Sequence, residues 1–421
     1  MKIPGPRSRA LVPRLRAHES QNVTYVADDF PVFWESAAGA TVVDVDGNAY
    51  VDLTAAFGVA NAGHANPAVV TAIAGQAARL MHGMGDVFPT ETRVRLMERL
   101  AVHAPPGLRT AFLATTGHEA VEAALKTAVL FTGKPRFAAY RGGYHGLSLG
   151  TLPLCGVDRF VTPFAGAIAQ RAVALDFPRQ THDAGDALAR AHAALSAHGD
   201  LAAVVIEPIQ ARGGCVIPPD GYLAGLRQLC DDLGILMIVD EIYTGFGRTG
   251  SWFAVERDGV VPDLLCVGKA LANGFPIGAL LGRPAVMDAW PPSEGEALHT
   301  STYLGNPMGC AAALATIAEH ERLDLARTAQ RFGSLLSARL DALRPLSAVL
   351  DVRGRGMLWG VQLRDGPTAS RAVRRALASG AMLLQSGPEG EVLSIAPPLV
   401  IGEADLHRGL DVVETTLAGL G

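Results

Sequence analysis

Short apolar runs recur through the middle of this chain, spaced so that a helix or turn fits between them. They occupy residues 110–113, 136–140, 201–206, 235–239 and 264–267. Runs of this length without polar alternation are expected of strands buried on both faces. The pattern predicts a mostly parallel sheet covered by helices, an α/β architecture. One intervening helix is explicit. Val121, Ala124, Leu125 and Ala128 recur at i, i+3, i+4 and i+7, and Thr116 to Glu119 has the spacing of a capping box. Nearer the N-terminus, residues 42–45 and 49–53 predict two strands around an Asp46-Gly47 hairpin turn. The stretch from Asp44 to Asn48 resembles a calcium loop only superficially, because its glycine comes two positions too early.

The first ~30 residues show weak periodicity and read as an arm. From about residue 310 an alanine- and leucine-rich helical stretch runs to about Leu343, where Pro345 would end it. Mixed strands and helices follow. The expected organisation is an arm and part of a smaller unit over residues 1–65, a large sheet domain over 66–310, and a smaller α+β domain over 311–421.

Composition narrows the class. Hydrophobic residues make up 49% and charged residues 18% of the 421, normal for a globular enzyme-sized protein. No apolar run approaches the ~20 residues of a membrane helix. The basic, proline-broken N-terminus lacks the apolar core of a signal peptide, so a cytoplasmic location without membrane association is expected. A formal net charge of -5 offers no electrostatic case for nucleic acid. The five cysteines are widely spaced with no CxxC pair, and the twelve histidines include no HExxH. No metal site is expected.

The chemistry concentrates at the ends of the apolar runs, where open α/β sheets bind ligands. Lys269 is one of only four lysines and follows the run ending at Val267. On its own it reads as an ordinary solvated lysine, but a lysine with lowered pKa in such a place is able to condense with an aldehyde. Asp240 follows 235–239. A carboxylate there needs a cationic partner or several donors, a role that a protonated pyridine nitrogen would fill. Thr116-Gly117-His118 opens a helix, and free amides with the helix dipole suit a phosphate. Tyr144, in Tyr144-His145-Gly146, offers an aromatic ring. Gly245 to Gly250 matches GxGxxG, but it starts six residues after Val239 and no clear helix follows. A dinucleotide site is therefore not expected.

Taken in order, these motifs resemble the class III family of pyridoxal-phosphate (PLP) enzymes, the ω-aminotransferase group of fold type I. Gly63-His64, Glu207-Pro208-Ile209-Gln210, His299 to Pro307, Arg353 to Gly356 and Ala396 to Leu399 extend the resemblance over nearly the whole chain. It implies PLP as cofactor, held covalently by Lys269, which then shuttles a proton at the substrate. It implies Asp240 on the pyridine nitrogen, Tyr144 and Ile242 on the two ring faces, and Gly117 and His118 amides on the phosphate with Thr116 nearby. Glu207 would lie close to the cofactor. Thr302 would reach the phosphate of a second subunit, so a homodimer with shared active sites is implied. The reaction would move an amino group from a small amino donor to a keto-acid acceptor. The alternative is an amino-acid racemase or epimerase, which shares the architecture and the lysine.

Two departures from the family pattern fall together. Many members carry a glutamate at the position of Arg212, paired with an arginine at the position of Ser394 that is released when a substrate carboxylate arrives. Both halves of that switch are missing here. Arg212 either binds the substrate carboxylate itself or is a structural arginine paired to a surface acid. A third departure is His118, at a position where small residues are usual.

Overall fold

The computed structural model describes residues 3–27, 30–168 and 170–420. A seven-stranded sheet forms its centre, in the spatial order Thr110–Ala114, Gly278–Gly282, Leu264–Val267, Leu236–Asp240, Leu201–Ile206, Arg136–Tyr140, Val173–Leu175. All five apolar runs become strands in it. Every neighbouring pair is parallel except those made by Gly278–Gly282, which is antiparallel on both sides. Two of the seven strands were not anticipated. Val173–Leu175 is a three-residue edge strand, and Gly278–Gly282 is bounded by glycines and contains no β-branched residue.

Both faces of the sheet are buried. Val204, Ile206, Met237 and Val239 pack into one core, whereas Ala203, Val205, Leu236 and Ile238 pack into another with Ala120, Val121, Ala124 and Ala128 of helix Gly117–Thr132. The period-two alternation of strand side chains divides them in this way.

Two four-stranded sheets stand apart from the large one. Trp34–Ala38, Thr41–Asp44 and Ala49–Asp52 form a meander, completed by Ala381–Met382 lying parallel to Ala49–Asp52. The hairpin turn is as expected, with the Gly47 amide bonded to the Asp44 carbonyl at 2.9 Å. The Asp44 carboxylate is taken up by the amides of Asp46 and Asn48, the Asn48 side chain and the Tyr50 hydroxyl. It is a turn residue with no capacity left for a cation. The other sheet has the order Val349–Arg355, Leu358–Leu363, Val392–Ile395, Leu384–Ser386.

Two segments differ from expectation. The N-terminal arm holds a helix, Pro6–His18. Its own sequence carries little apolar periodicity. Its first turn is instead capped from a distance by Asp46, whose carboxylate accepts from the amides of Arg7 (2.7 Å) and Ser8 (2.9 Å). The long helical stretch after residue 310 is two helices, Pro307–Arg322 and Leu325–Asp341, broken at Asp324 with φ 46°. An aspartate tolerates this left-handed conformation and caps the second helix.

Arg248 ties the parts together. It is fully buried and donates to the carbonyls of Met357 (3.0 Å) and Pro397 (2.6 Å) and to the Asn61 side chain. Its planar fork reaches acceptors on three separate segments.

Candidate active site

Asp240 ends one parallel strand, Lys269 follows the next, and Glu207 follows the third. Asp240 lies in register with Cys266, so the strand order alone sets Asp240 beside the segment leading to Lys269. Lys269 has φ 42°, and the tight turn Lys269–Leu271 is closed by the Leu271 amide on the Gly268 carbonyl at 2.9 Å. A lysine in the left-handed region is strained, and such strain collects at functional sites. Its ammonium nitrogen lies 4.7 Å from the centroid of the Tyr243 ring. Burial lowers its pKa, against the opposing influence of Asp240 and Glu207. The result is an amine more readily deprotonated than a surface lysine.

The Asp240 carboxylate is 4% exposed and has two partners. One oxygen accepts from the Ile242 amide at 3.0 Å, and the other is 2.8 Å from Nδ1 of His145. Burial alone would lower the His145 pKa, but the hydrogen bond and charge of Asp240, helped by Glu207, outweigh it and raise it. Glu207 is buried too. Burial first, then the Asp240 charge, push its pKa up to about 7, against the pull of His145 and Lys269. Its two oxygens accept from the amides of Tyr144 (2.9 Å) and Ala211 (3.3 Å), tying together the segments on either side.

At the helix start, Thr116 accepts from the Glu119 amide at 3.4 Å, while the Glu119 carboxylate accepts from the Thr115 amide at 2.7 Å. The return bond of the capping box thus lands one residue earlier than the motif implies. The first helical amides, those of Gly117 and His118, have no partner within the helix. A Cβ on Gly117 would stand 2.8 Å from Ile242 Cδ1, and one on Gly268 would stand 3.7 Å from Gly117 Cα. The glycine allows the helix start, Ile242 and the lysine loop to meet. His118 Nδ1 lies 3.1 Å from the Thr116 hydroxyl, and its Cβ packs under Gly146, whose φ of 105° and 2.4 Å clearance exclude a side chain.

The structure therefore gathers Lys269, Asp240, Glu207, Tyr144, Ile242, Thr116, Gly117 and His118 along the C-terminal edge of the large sheet. Arg212 is adjacent, with its guanidinium 5.8 Å from the Phe160 ring, which in turn packs 6.0 Å from Tyr144. Arg212 forms no ion pair with a carboxylate among the described residues. It donates to the Gly387 carbonyl at 3.0 Å. Ser394 is buried, and its hydroxyl donates to Ser386 at 2.6 Å. Thr302 is exposed and lies outside this cluster. His145 is the functional residue that the sequence reading did not assign. The signal was present, since a buried Asp240 requires a partner within the chain.

A paired buried carboxylate, a lysine of lowered pKa and two free helix amides thus lie along one edge of the sheet. The Aminotransferase class-III family model matches residues 23–417, and the chain belongs to that family. It is 37% identical over 396 residues to an acetylornithine aminotransferase of Methanopyrus kandleri, covering 93% of this chain and 96% of that one. It is also 37% identical over 444 residues to a 4-aminobutyrate aminotransferase of Mycobacterium bovis, covering 100% and 97%. Among solved structures it is similar to an amine transaminase from an uncultivated Pseudomonas species in its PLP-bound form (TM-score 0.87, 28% identity, 96% and 99% covered). An (S)-enantioselective ω-transaminase from Thermomicrobium roseum aligns with TM-score 0.89 and 26% identity over 98% of each chain. The protein is a fold type I, PLP-dependent aminotransferase acting on small amino and keto substrates. Of the two chemistries weighed from the sequence, these proteins stand on the side of transamination.

The residues present fit PLP. Asp240 retains acceptor capacity after its two bonds, the helix amides suit a phosphate, and the lysine is poised to bond an aldehyde. No helix among the described residues is long and apolar enough to cross a membrane.

Proposed function

We propose that Lys269 binds PLP covalently and carries the proton during transamination. The observation that carries this reading is the lysine's position, strained and of lowered pKa, beside the buried Asp240–His145 pair. Bound PLP supplies an electron sink for the charge that develops at the substrate Cα. Asp240 would pair with the pyridine nitrogen, and His145 orients its carboxylate. The Gly117 and His118 amides, with the Thr116 hydroxyl, hold the phosphate. Tyr144 and Ile242 would flank the ring, and Glu207 braces the Tyr144 and Ala211 segments. Lys269 Nζ takes the proton leaving the substrate Cα and gives it up again.

The functional unit in this reading is a cytoplasmic homodimer in which Thr302 serves the second copy's phosphate. Exposed apolar residues beside Thr302 support it. Tyr303 is 60% exposed and its ring packs 5.4 Å from His82, next to Met81 at 61%. The five cysteines are free and buried, as suits a reducing compartment.

Borohydride reduction followed by intact-mass measurement tests the lysine. Wild type gains one cofactor mass, whereas Lys269→Ala gains none and loses roughly 10³-fold or more in kcat. A Lys269→Ala protein that keeps the adduct, or keeps turnover, would overturn the assignment.

A further inference from the structure

The site region contains a positive charge that no ion pair neutralises among the described residues. Arg212 is half-buried, yet its one polar partner among the described residues is the Gly387 carbonyl. The Gly387 amide returns a bond of 2.9 Å to the Arg212 carbonyl, which fixes the backbone on both sides. Glu391 is near enough to influence Arg212 electrostatically, but it forms no ion pair with it and accepts from the Glu389 amide at 3.0 Å.

A second cation shares the location. The Arg159 guanidinium lies 4.7 Å from the Phe160 ring, the same ring that Arg212 approaches at 5.8 Å. The two charges repel each other, since Arg159 makes the charged form of Arg212 less favourable. Two guanidinium groups thus share one aromatic ring, and neither has an ion-pair partner among the described residues, an arrangement suited to an anion. Its place in the site follows from the chain. Phe160 meets Tyr144 edge to face, and Glu207 binds the amides of both Tyr144 and Ala211, the residue before Arg212. Glu207 is also within electrostatic reach of Lys269.

The position that could hold a competing arginine is closed. Ser394 and Ser386 bond to each other, and the Cys215 thiol lies 3.9 Å from the Ser394 hydroxyl. This small buried cluster offers no charge to a substrate and no acid to mask Arg212.

We propose that Arg212, with Arg159 on the shared Phe160 ring, is a standing receptor for a substrate carboxylate, so that both half-reactions require a carboxylate in addition to the reacting amine or carbonyl. The proposal rests on the Lys269 site described above. An arginine that no acid ever masks penalises any substrate leaving it unpaired, in the donor step as in the acceptor step.

The holoenzyme tests this with amino acids paired against their own primary amides: alanine with alaninamide, β-alanine with its amide, and 4-aminobutyrate with its amide. Each half-reaction is followed through the cofactor's visible absorbance. Wild type should prefer the acids, and Arg212→Gln should lower kcat/KM for the acids by on the order of 10–100-fold and for the amides by much less, so that the preference collapses. Arg212→Lys should recover part of the loss, and Arg159→Ala should cause a smaller, salt-sensitive loss. Wild type that uses amides as well as acids, or Arg212→Gln that keeps the acid preference, overturns the proposal. Calorimetry with butyrate and glutarate, which carry no amine, separates this from failure of the transamination reading. Binding at least ~10-fold weaker in Arg212→Gln supports the receptor even if no donor turns over. Absence of any Arg212-dependent binding of either acid overturns it.

Discussion

Nδ1 of His145 and Oδ2 of Asp240 are 2.8 Å apart, and both side chains are almost wholly enclosed. The hydrogen bond and charge of Asp240 hold His145 toward its charged form despite burial. Removing one partner of a buried pair costs about 3–5 kcal/mol, because the other is left uncompensated. His145→Ala should destabilise the cofactor-free protein by that order. The loss should be smaller with PLP bound, because the cofactor's ring nitrogen then serves Asp240. A packing role alone would lower both forms equally. Denaturant titration of the two forms measures the difference.

The same pair has a pH signature. The folded pKa of His145 is raised above its ordinary value of 6.5, so its stabilisation is fully present below pH 6.5 and is lost as pH rises through the folded pKa. The stability difference between wild type and His145→Gln should therefore be largest in mildly acidic buffer and shrink on the alkaline side. A difference that grows with pH would mean that the histidine is neutral in the folded protein.

Glu241, next in the chain to Asp240, predicts a stability change of its own. It is fully buried, accepting from the Thr244 hydroxyl at 2.6 Å and the Val255 amide at 2.9 Å. Burial pushes its pKa up to about 7. The folded state then holds a proton that the unfolded state releases from about pH 4.5, so stability falls as pH climbs from about 4.5 to 7. Glu241→Gln mimics the protonated form: its oxygen accepts from the Val255 amide and its NH2 donates to the Thr244 hydroxyl, which reverses that bond. It should match wild type near pH 4.5 and exceed it at pH 8 by on the order of 2–3 kcal/mol. Urea unfolding at the two pH values decides; equal stabilities at pH 8 would reject the buried-proton account.

Gly146 and His118 form a steric couple. An alanine at 146 would carry its Cβ to 2.4 Å from His118 Cβ while holding a φ of 105°. Gly146→Ala should cost on the order of 2–4 kcal/mol and weaken PLP retention, since the clash displaces the helix start. Adding His118→Gly should restore the part due to the clash and leave the backbone strain. A double-mutant cycle on melting temperature and cofactor dissociation reads that coupling. Strict additivity would show that the two residues do not press on each other.

Much of this protein was legible in the sequence because the signals were local. Apolar runs located five of the seven central strands, since strands buried on both faces need no pattern beyond their own side chains. Asp46-Gly47 marked its turn and Thr116 its helix start, because caps and turns are bonded within a few residues. Lys269 and Asp240 stood out because they follow such runs, where a parallel sheet exposes its ligand-binding edge, whereas Glu207 came only from the family resemblance.

Only the tertiary structure decided which distant partners these residues meet. Helix Pro6–His18 is capped by Asp46, about forty residues away, so its own sequence shows little of it. Strand Gly278–Gly282 is strand because two buried neighbours supply its hydrogen bonds on both sides. The cation for Asp240 is His145, 95 positions earlier in the chain. Among the described residues Arg212 has no ion-pair partner: its side chain bonds the Gly387 carbonyl, 175 positions away, and the acid in electrostatic reach, Glu391, forms no ion pair with it. Charge and hydrogen-bond partnership depend on distances through space, and a one-dimensional pattern carries those distances only when the partners are also neighbours in the chain.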